Sequence, residues 1–344
     1  MLKMLERYYC GCKEKLNEFQ VMRKARKYSH CENSVFLLGT PLHGNLGDQA
    51  ITLAEMEFFA RNGYRVIEIP SPLVLPHLET WKEIIGKNRI YIHGGGFVGS
   101  LWPEEEAMLE TVISAFIGNE IIILPQTVYF DNVDERVSHL NELLKRQGKV
   151  TLCARETYSY EFACRYLDGA NVILVPDMVL SANWFDNKAG TRNKVILCMR
   201  RDLEKVITEE TMDKLLSALK TYYPDMEIVY TDTVIEGMVY PYMRKRVLKN
   251  MLSKLATARI VVTDRLHGMV LAAMANSPSL VFSNCNYKVQ GIYHWISNNR
   301  FVSYCDDASQ IEEKVRGLSQ EENCVYNHDD AKRAFAPLTE LVRK

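Results

Sequence analysis

An arginine and a histidine directly follow a nearly continuous apolar run in the second half of the chain. The run Val261–Thr263 leads into Arg265 and His267, and Gly268 opens the next segment. A guanidinium binds a carboxylate or phosphate through two hydrogen bonds, and an imidazole can give or take a proton near neutral pH. A single histidine is more often structural, but the neighbouring arginine and the position after a strand favour a ligand cleft here.

Two further arginines occupy comparable positions after predicted strands. Arg155 follows Val150–Ala154, and Arg200 follows Val195–Met199. Each could bind an anionic ligand or pair with an acidic neighbour, as Arg155 could with Glu156. We expect Arg155 to bind an anion, whereas both interpretations stay open for Arg200.

A glycine-containing segment, 39–48, joins a predicted buried strand to a predicted helix whose first turn follows Asp48. Glycines allow backbone N–H groups to approach a ligand, and the amino terminus of a helix favours negative charge. The segment lacks the spacings of nucleotide-binding loops. We expect His43 and Asn45 to contact a ligand, whereas Asp48 either caps the helix or contacts a ligand too.

Three consecutive glycines, Gly94, Gly95 and Gly96, follow another predicted buried strand. Because these three residues have no side chains, a ligand or another segment of the chain can approach their backbone closely. A tight strand-to-helix crossing would need the same residues. We favour the ligand contact.

Short β-branched runs alternate with longer helical patterns, which is typical of α/β folds with parallel sheets covered by helices. The predicted strands are Val35–Leu38, Val66–Ile69, Arg89–His93, Glu120–Leu124, Val150–Ala154, Val172–Val175, Val195–Met199, Glu227–Tyr230, Arg259–Thr263 and Ser279–Phe282. The predicted helices lie near Gln49–Arg61, Pro103–Ile117, Glu135–Gln147, Tyr158–Leu167, Glu209–Tyr222, Tyr240–Ala256 and Gly268–Ala275. This order predicts two Rossmann-like doubly wound domains that face each other across a cleft, with ligand loops at the carboxyl ends of the strands.

The polar, turn-rich segment 184–193 has no apolar period and is the predicted domain boundary. We expect a basic amino-terminal helix over residues 1–30, one domain over 31–187 and a second over 188–344. The last helix of the second domain is expected to pack back on the first domain.

Composition excludes several classes of protein. Hydrophobic residues make up 47% and charged residues 25% of the 344 residues, as in ordinary globular proteins. A net charge of −1 argues against nucleic-acid binding, which usually requires a basic excess. The nine cysteines are odd in number and lie mostly in apolar runs, so we expect reduced thiols and a cytoplasmic protein. We also find no sequence pattern of a metal site.

The first 30 residues are rich in lysine and arginine with apolar residues interspersed. A basic amphipathic helix of this kind can rest on an anionic lipid surface, here the inner face of the cell membrane. It can equally be a solvated helix that packs on the body of the protein, and both interpretations stay open.

Taken together, these segments resemble the polysaccharide pyruvyl transferase family. The matching segments follow the family order and are His43–Asp48, Gly94–Gly96, Ala154–Glu156, Asp264–Gly268 and Asn286–Lys288. The resemblance implies a fold of the glycosyltransferase B (GT-B) type and phosphoenolpyruvate as a co-substrate, with no cofactor. It also implies that Arg155, Arg265, His267 and Lys288 surround that donor.

The acceptor implied by the resemblance is a sugar of a bacterial surface polysaccharide or exopolysaccharide, such as a lipid-linked oligosaccharide, held by the first domain while the second holds the donor. We expect His267 to be the general acid, with Asp48 or His43 as the base for the sugar hydroxyl. Two alternatives stay open: a GT-B glycosyltransferase that uses a nucleotide sugar, and a non-catalytic glycan-binding member.

Overall fold

The computed structural model describes residues 2–184, 191–200, 207–283 and 287–343, with side chains from residue 14 onward. The strands are β1 (Ser34–Thr40), β2 (His43–Asn45), β3 (Arg65–Pro70), β4 (Ile90–Ile92), β5 (Gly95–Gly99), β6 (Ile121–Tyr129), β7 (Val150–Ala154), β8 (Asn171–Leu174), β9 (Lys194–Cys198), β10 (Glu227–Thr231), β11 (Val234–Met238), β12 (Ala258–Thr263), β13 (Ser279–Phe282) and β14 (Val302–Cys305). The predicted boundary between residues 187 and 188, and Asn286 of the last matching segment, lie outside the described residues.

Helices connect most of these strands. They are α1 (Leu2–Tyr28), α2 (Leu46–Arg61), α3 (Ser71–Val74), α4 (Leu78–Ile85), α5 (Pro103–Ala115), α6 (Glu135–Gln147), α7 (Thr157–Tyr166), α8 (Glu209–Tyr222), α9 (Pro241–Leu255), α10 (Leu266–Met274), α11 (Lys288–His294), α12 (Ile311–Ser319), α13 (Asp329–Arg333) and α14 (Ala336–Arg343), with 3₁₀ turns at Met178–Ser181 and Ala308–Gln310. Among the described residues, no helix is both long enough and apolar enough to cross a membrane.

Two parallel sheets form the framework. The first has the order β3-β1-β4-β6-β7-β8, with β5 also paired to β6, and the second has the order β10-β9-β12-β13-β14. Both orders reverse direction within the sheet, as in doubly wound folds, where ligands bind at the carboxyl ends of the strands. The predicted α/β class with two Rossmann-like units of the GT-B type is therefore confirmed.

Strands of both sheets bury their two faces in different cores. In β1, Val35 and Leu37 belong to a core that also contains Val261 of β12, so this core lies between the two sheets. Phe36 and Leu38 of β1 point to the opposite core, on the far side of the first sheet. Successive side chains of a strand face opposite sides, which explains why these strands appear in the sequence as unbroken apolar runs.

A short antiparallel ribbon of β2 and β11 joins the two halves of the chain. The amide of Leu46 donates to the carbonyl of Thr233 over 2.7 Å, and the amide of Val239 donates to the carbonyl of Leu42 over 2.7 Å. Gly44 is needed at this contact, because an added β-carbon would lie 1.9 Å from the carbonyl oxygen of Ile235. The prediction that residues 43–45 form a loop is therefore wrong, since their partner strand is distant in sequence.

A buried ion pair also links the two halves. Arg244 of α9 donates from Nη2 to Oε1 of Glu68 over 2.6 Å and from Nε to Oε1 of Gln49 over 2.7 Å. Both charged side chains are almost completely buried, at 2% and 7% exposure. A buried ion pair of this kind fixes geometry, because removing one partner leaves an uncompensated charge.

Both ends of the chain pack on the first half. The ring of Phe335 lies 6.1 Å from that of Phe58 in α2, and the carbonyl of Val342 accepts a hydrogen bond from the hydroxyl of Tyr64 over 2.9 Å. In α1, Val21 and Ala25 are buried in the outer core of the first sheet. The described carboxyl-terminal part of α1 thus lies on the body of the protein.

Replacing Arg244 with alanine should lower the free energy of unfolding by about 3–5 kcal/mol, because Glu68 would remain buried without its partner. Denaturant unfolding measures this change. The matched control is Arg246→Ala at an exposed position of the same helix, which should cost less than about 0.5 kcal/mol. Equal effects of the two substitutions would contradict the structural role of the pair.

Candidate active site

A buried aspartate, Asp177, connects residues from both sheets. It follows β8 and is fully buried. Its Oδ2 atom lies 2.8 Å from Nη1 of Arg155, at the end of β7, and 3.5 Å from Nε2 of His267, in the first turn of α10. Its Oδ1 atom accepts a hydrogen bond from the amide of Val179 over 3.0 Å. Asp177 therefore brings Arg155 and His267 to one place.

The surroundings keep Asp177 ionised. Burial by itself would raise the pKa of the carboxyl, but the opposing effects of His267, Arg155 and the Val179 amide lower the pKa well below the usual range of aspartates. A buried carboxylate that persists at neutral pH stabilises positive charge on both of its neighbours. His267 thus lies beside a buried negative charge.

The two nitrogens of His267 face different groups. Nε2 points to Asp177, whereas Nδ1 lies against Gly47 at the start of α2, where an added β-carbon would be only 2.2 Å away. The ring is therefore held between the Asp177 carboxylate on one side and the start of α2 on the other. Gly47 leaves the space that this orientation of the ring needs.

Two cations from different halves meet at Gly96. An added β-carbon on this glycine would lie 3.0 Å from Nη2 of Arg155 and 3.6 Å from Nζ of Lys288. Both side chains are largely buried, with 3% exposure for Arg155 and 8% for Lys288. Two buried positive charges at one stretch of bare backbone form a site suited to a small, highly charged anion.

Two buried side chains hold the glycine segment in place. Glu55 accepts from the amide of Gly94 over 2.7 Å and lies 2.8 Å from Nδ1 of His93. Gln126 accepts from the amide of Phe97 over 3.2 Å and donates to the carbonyl of His93 over 2.7 Å. The prediction that the three glycines form a loop is partly wrong, because residues 95–99 form β5 beside β6. Gly95 has a φ angle of +148°, which favours glycine.

The cap of α2 is Asn45, so the interpretation of Asp48 as the cap is wrong. The side chain of Asn45 accepts from the amide of Gly47 over 3.0 Å, which starts the helix at Leu46. Asp48 lies within the first turn, and its Oδ2 atom is 3.8 Å from Nε2 of His43. His43 and Asp48 are partly exposed, at 55% and 28%, and their contact with a ligand stays a prediction.

The two remaining predicted arginines lie at the ends of strands in the second sheet. Arg265 caps α10, and its Nη2 atom pairs with Oδ2 of Asp232, after β10, over 2.8 Å. The amide of Arg200 donates to Oδ1 of Asp264 over 2.8 Å. The Asp264 carboxyl that accepts this hydrogen bond is buried, and this burial raises its pKa above the usual range of aspartates. The geometry thus joins Arg155, His267 and Lys288 through shared contacts and holds Arg265 against Asp232.

Sequence reasoning missed several residues of this site. Asp177 lies shortly after β8, a position comparable to that of Arg155 after β7, but it carries neither the positive charge nor the glycine that marked the other predicted residues. Arg155 was considered as a partner of Glu156, whereas its partner is Asp177. Glu55 and Gln126 lie inside a helix and a strand and give no local signal of their role.

The chain is similar to several known proteins. The model of the polysaccharide pyruvyl transferase family matches residues 45–286. The chain is 32% identical over 320 residues to General stress protein 30 of Bacillus subtilis, covering 90% of this chain and 91% of that protein. It is 26% identical over 275 residues to Pyruvyl transferase 1 of Schizosaccharomyces pombe, covering 76% and 68%.

A solved structure resembles the fold. An uncharacterized protein of Klebsiella pneumoniae superposes with a TM-score of 0.56 at 18% identity, over 86% of this chain and 98% of that one. Fold and site together define a two-domain α/β protein with a cationic site at its strand ends. The chain belongs to the polysaccharide pyruvyl transferase family.

Replacing Asp177 with asparagine should destabilise the protein by about 3–5 kcal/mol at neutral pH, because Arg155 would lose its buried partner. The pKa of Asp177 is lower in the folded than in the unfolded protein. Its ionised form therefore stabilises the fold above the unfolded pKa of about 3.9, and this stabilisation is lost progressively as the pH falls from that value toward the folded pKa.

Denaturant unfolding of both proteins from neutral pH down to about pH 3 measures the difference, which should shrink in the acidic range. Asp131→Asn, at an exposed position, is the control and should change stability by less than about 0.5 kcal/mol. A difference between wild type and Asp177→Asn that does not vary with pH would contradict a stabilising carboxylate.

Proposed function

We propose that this protein transfers pyruvate from phosphoenolpyruvate to two hydroxyls of a sugar in a bacterial cell-surface polysaccharide or exopolysaccharide precursor, forming a pyruvate ketal and releasing phosphate. The observation that carries the proposal is the meeting of Arg155 and Lys288 at Gly96, beside a histidine held by a buried carboxylate. Family membership supports the same reaction class.

The donor fits the charge of the site. Phosphoenolpyruvate carries a carboxylate and a phosphate on a three-carbon frame, so its recognition needs converging cations. Arg155 and Lys288 supply two of them, and Arg265 supplies a third once it shares its guanidinium between Asp232 and the donor. Each charge-assisted hydrogen bond is worth about 1.5–3 kcal/mol.

His267 starts the reaction. The imidazolium gives a proton to the methylene carbon of the donor, which becomes a methyl group, and positive charge develops on the adjacent carbon. The oxygen of one sugar hydroxyl bonds to that carbon, and the bond to the phosphate oxygen then breaks. Asp177, 3.5 Å from Nε2, stabilises the imidazolium before the transfer.

The second hydroxyl closes the ring at the same carbon. One of the two hydroxyl protons restores the imidazolium, and the other passes through the base to the departing phosphate, which leaves as hydrogen phosphate. Asp48 and His43, which face each other across 3.8 Å at the start of α2, are the two candidates for that base. The acceptor, including a lipid-linked oligosaccharide, would approach from this partly exposed side.

Thermal-shift measurements with phosphoenolpyruvate and a panel of nucleotide sugars test the donor. Stabilisation by phosphoenolpyruvate is expected, and stabilisation by a nucleotide sugar instead would favour a glycosyltransferase. Mass spectrometry of the glycan made with and without the protein then tests the product. The expected result is the mass increment of one pyruvate ketal, and its absence in cells that make the unmodified glycan would contradict the proposal.

Replacing His267 with alanine should reduce phosphate release from phosphoenolpyruvate by about 10²–10⁴-fold, which is the usual contribution of a general acid. Donor binding should remain measurable by calorimetry, because Arg155 and Lys288 are retained. His139→Ala, at an exposed position of α6, serves as the matched control and should keep full activity. Retention of most activity in the His267 variant would remove this residue from proton transfer.

A further inference from the structure

The helix that carries Lys288 rests directly on the loop that carries Arg155. Trp295, which ends α11, donates from Nε1 to the carbonyl oxygen of Arg155 over 2.9 Å. One turn earlier, the backbone of Gly291 approaches Glu156 so closely that an added β-carbon would lie 2.6 Å from the Glu156 Cβ atom. These contacts join the two halves of the chain beside the donor site.

Glu156 has little freedom to move away from this contact. Its carboxylate caps α7 by accepting from the amide of Ser159 over 3.0 Å, and it also accepts from the Ser159 hydroxyl. The side chain is also buried, at 1% exposure. A side chain at position 291 would therefore push α11 outward rather than displace Glu156.

A pair of stacked tyrosines extends the same contact. Tyr158, in the first turn of α7, and Tyr287, next to Lys288, have ring centroids 4.2 Å apart with an interplanar angle of 24°. Aromatic pairs at this spacing attract each other beyond the area that they bury. The segment that follows Arg155 and the residue that precedes Lys288 are thereby held together.

We propose that docking of α11 on the loop after β7 sets the separation of Arg155 and Lys288, so that Gly291 and Trp295 are positioning residues for the anionic donor. This inference rests on the proposed function. Neither residue touches the donor in this scheme. They act by placing Nζ of Lys288 beside the Arg155 guanidinium at Gly96.

The test is isothermal calorimetry of phosphoenolpyruvate binding to the full chain. Gly291→Ala should weaken binding by about 10- to 100-fold, the value of one misplaced charge-assisted hydrogen bond. Alanine is the better helix former, so helix propensity alone would stabilise the variant. The matched control is Gly317→Ala in α12, where an added β-carbon meets nothing within 4 Å, and its affinity should equal that of wild type.

Trp295→Phe removes the hydrogen bond to Arg155 and keeps an aromatic ring. It should weaken phosphoenolpyruvate binding by about 2- to 10-fold, the effect of one neutral hydrogen bond. With an active acceptor, both variants should raise the KM for phosphoenolpyruvate and leave the KM for the sugar unchanged. A loss of general stability would not produce this separation.

The outcomes separate the two proposals. Wild-type protein that fails to bind phosphoenolpyruvate would contradict the proposed function itself. Wild-type binding together with unchanged affinity in Gly291→Ala would overturn the positioning role and leave the function intact. If Gly291→Ala unfolds at the assay temperature, Trp295→Phe decides, and an unchanged affinity in that folded variant overturns the positioning role.

Discussion

The site depends on one buried carboxylate that holds two positive groups. Asp177 is inaccessible to solvent and bonds to Arg155 while facing His267. Burying a charge is costly unless it is paired and hydrogen-bonded, and Asp177 meets this condition through Arg155 and the amide of Val179. An arginine that follows a strand of the first sheet and a histidine from the second half are thereby brought together.

Further contacts hold the two halves of the chain in a fixed arrangement. The ribbon of β2 and β11 and the buried pair of Arg244 with Glu68 link them on one side of the site. The contact of α11 with the loop after β7 links them on another. Each of these links is a directed hydrogen bond, an ion pair or a close backbone approach, and together they hold the two halves against each other.

Local sequence patterns predicted the sheets well. Each predicted strand is observed with ends within one residue, except that β1 continues to Thr40 instead of ending at Leu38 and β6 continues to Tyr129 instead of ending at Leu124. Buried parallel strands are unbroken apolar runs, so their positions are visible in the sequence. Arg155, His267 and Lys288 share one site, and the first two of these were visible as polar groups directly after such strands. Lys288 was identified through the family resemblance.

What local patterns could not supply were partners distant in sequence. The ribbon strand β2 needs β11, the glycine segment needs Glu55 and Gln126, and Arg155 needs Asp177. The start of α2 was misplaced because Asn45, rather than Asp48, provides the capping oxygen. In the first three cases the deciding contact joins residues that are far apart in the sequence. In the last case both Asn45 and Asp48 are able to cap a helix, and the sequence alone does not show which of them does so.

The central claim is that Arg155, Lys288 and His267 surround one small anionic donor. A crystal structure of the protein with phosphoenolpyruvate tests it most directly. We expect the phosphate or carboxylate of the donor to be bound by Arg155 and Lys288 over Gly96, with its methylene carbon nearest to the imidazole of His267. A donor bound elsewhere, or one whose methylene carbon faces away from His267, would contradict this claim.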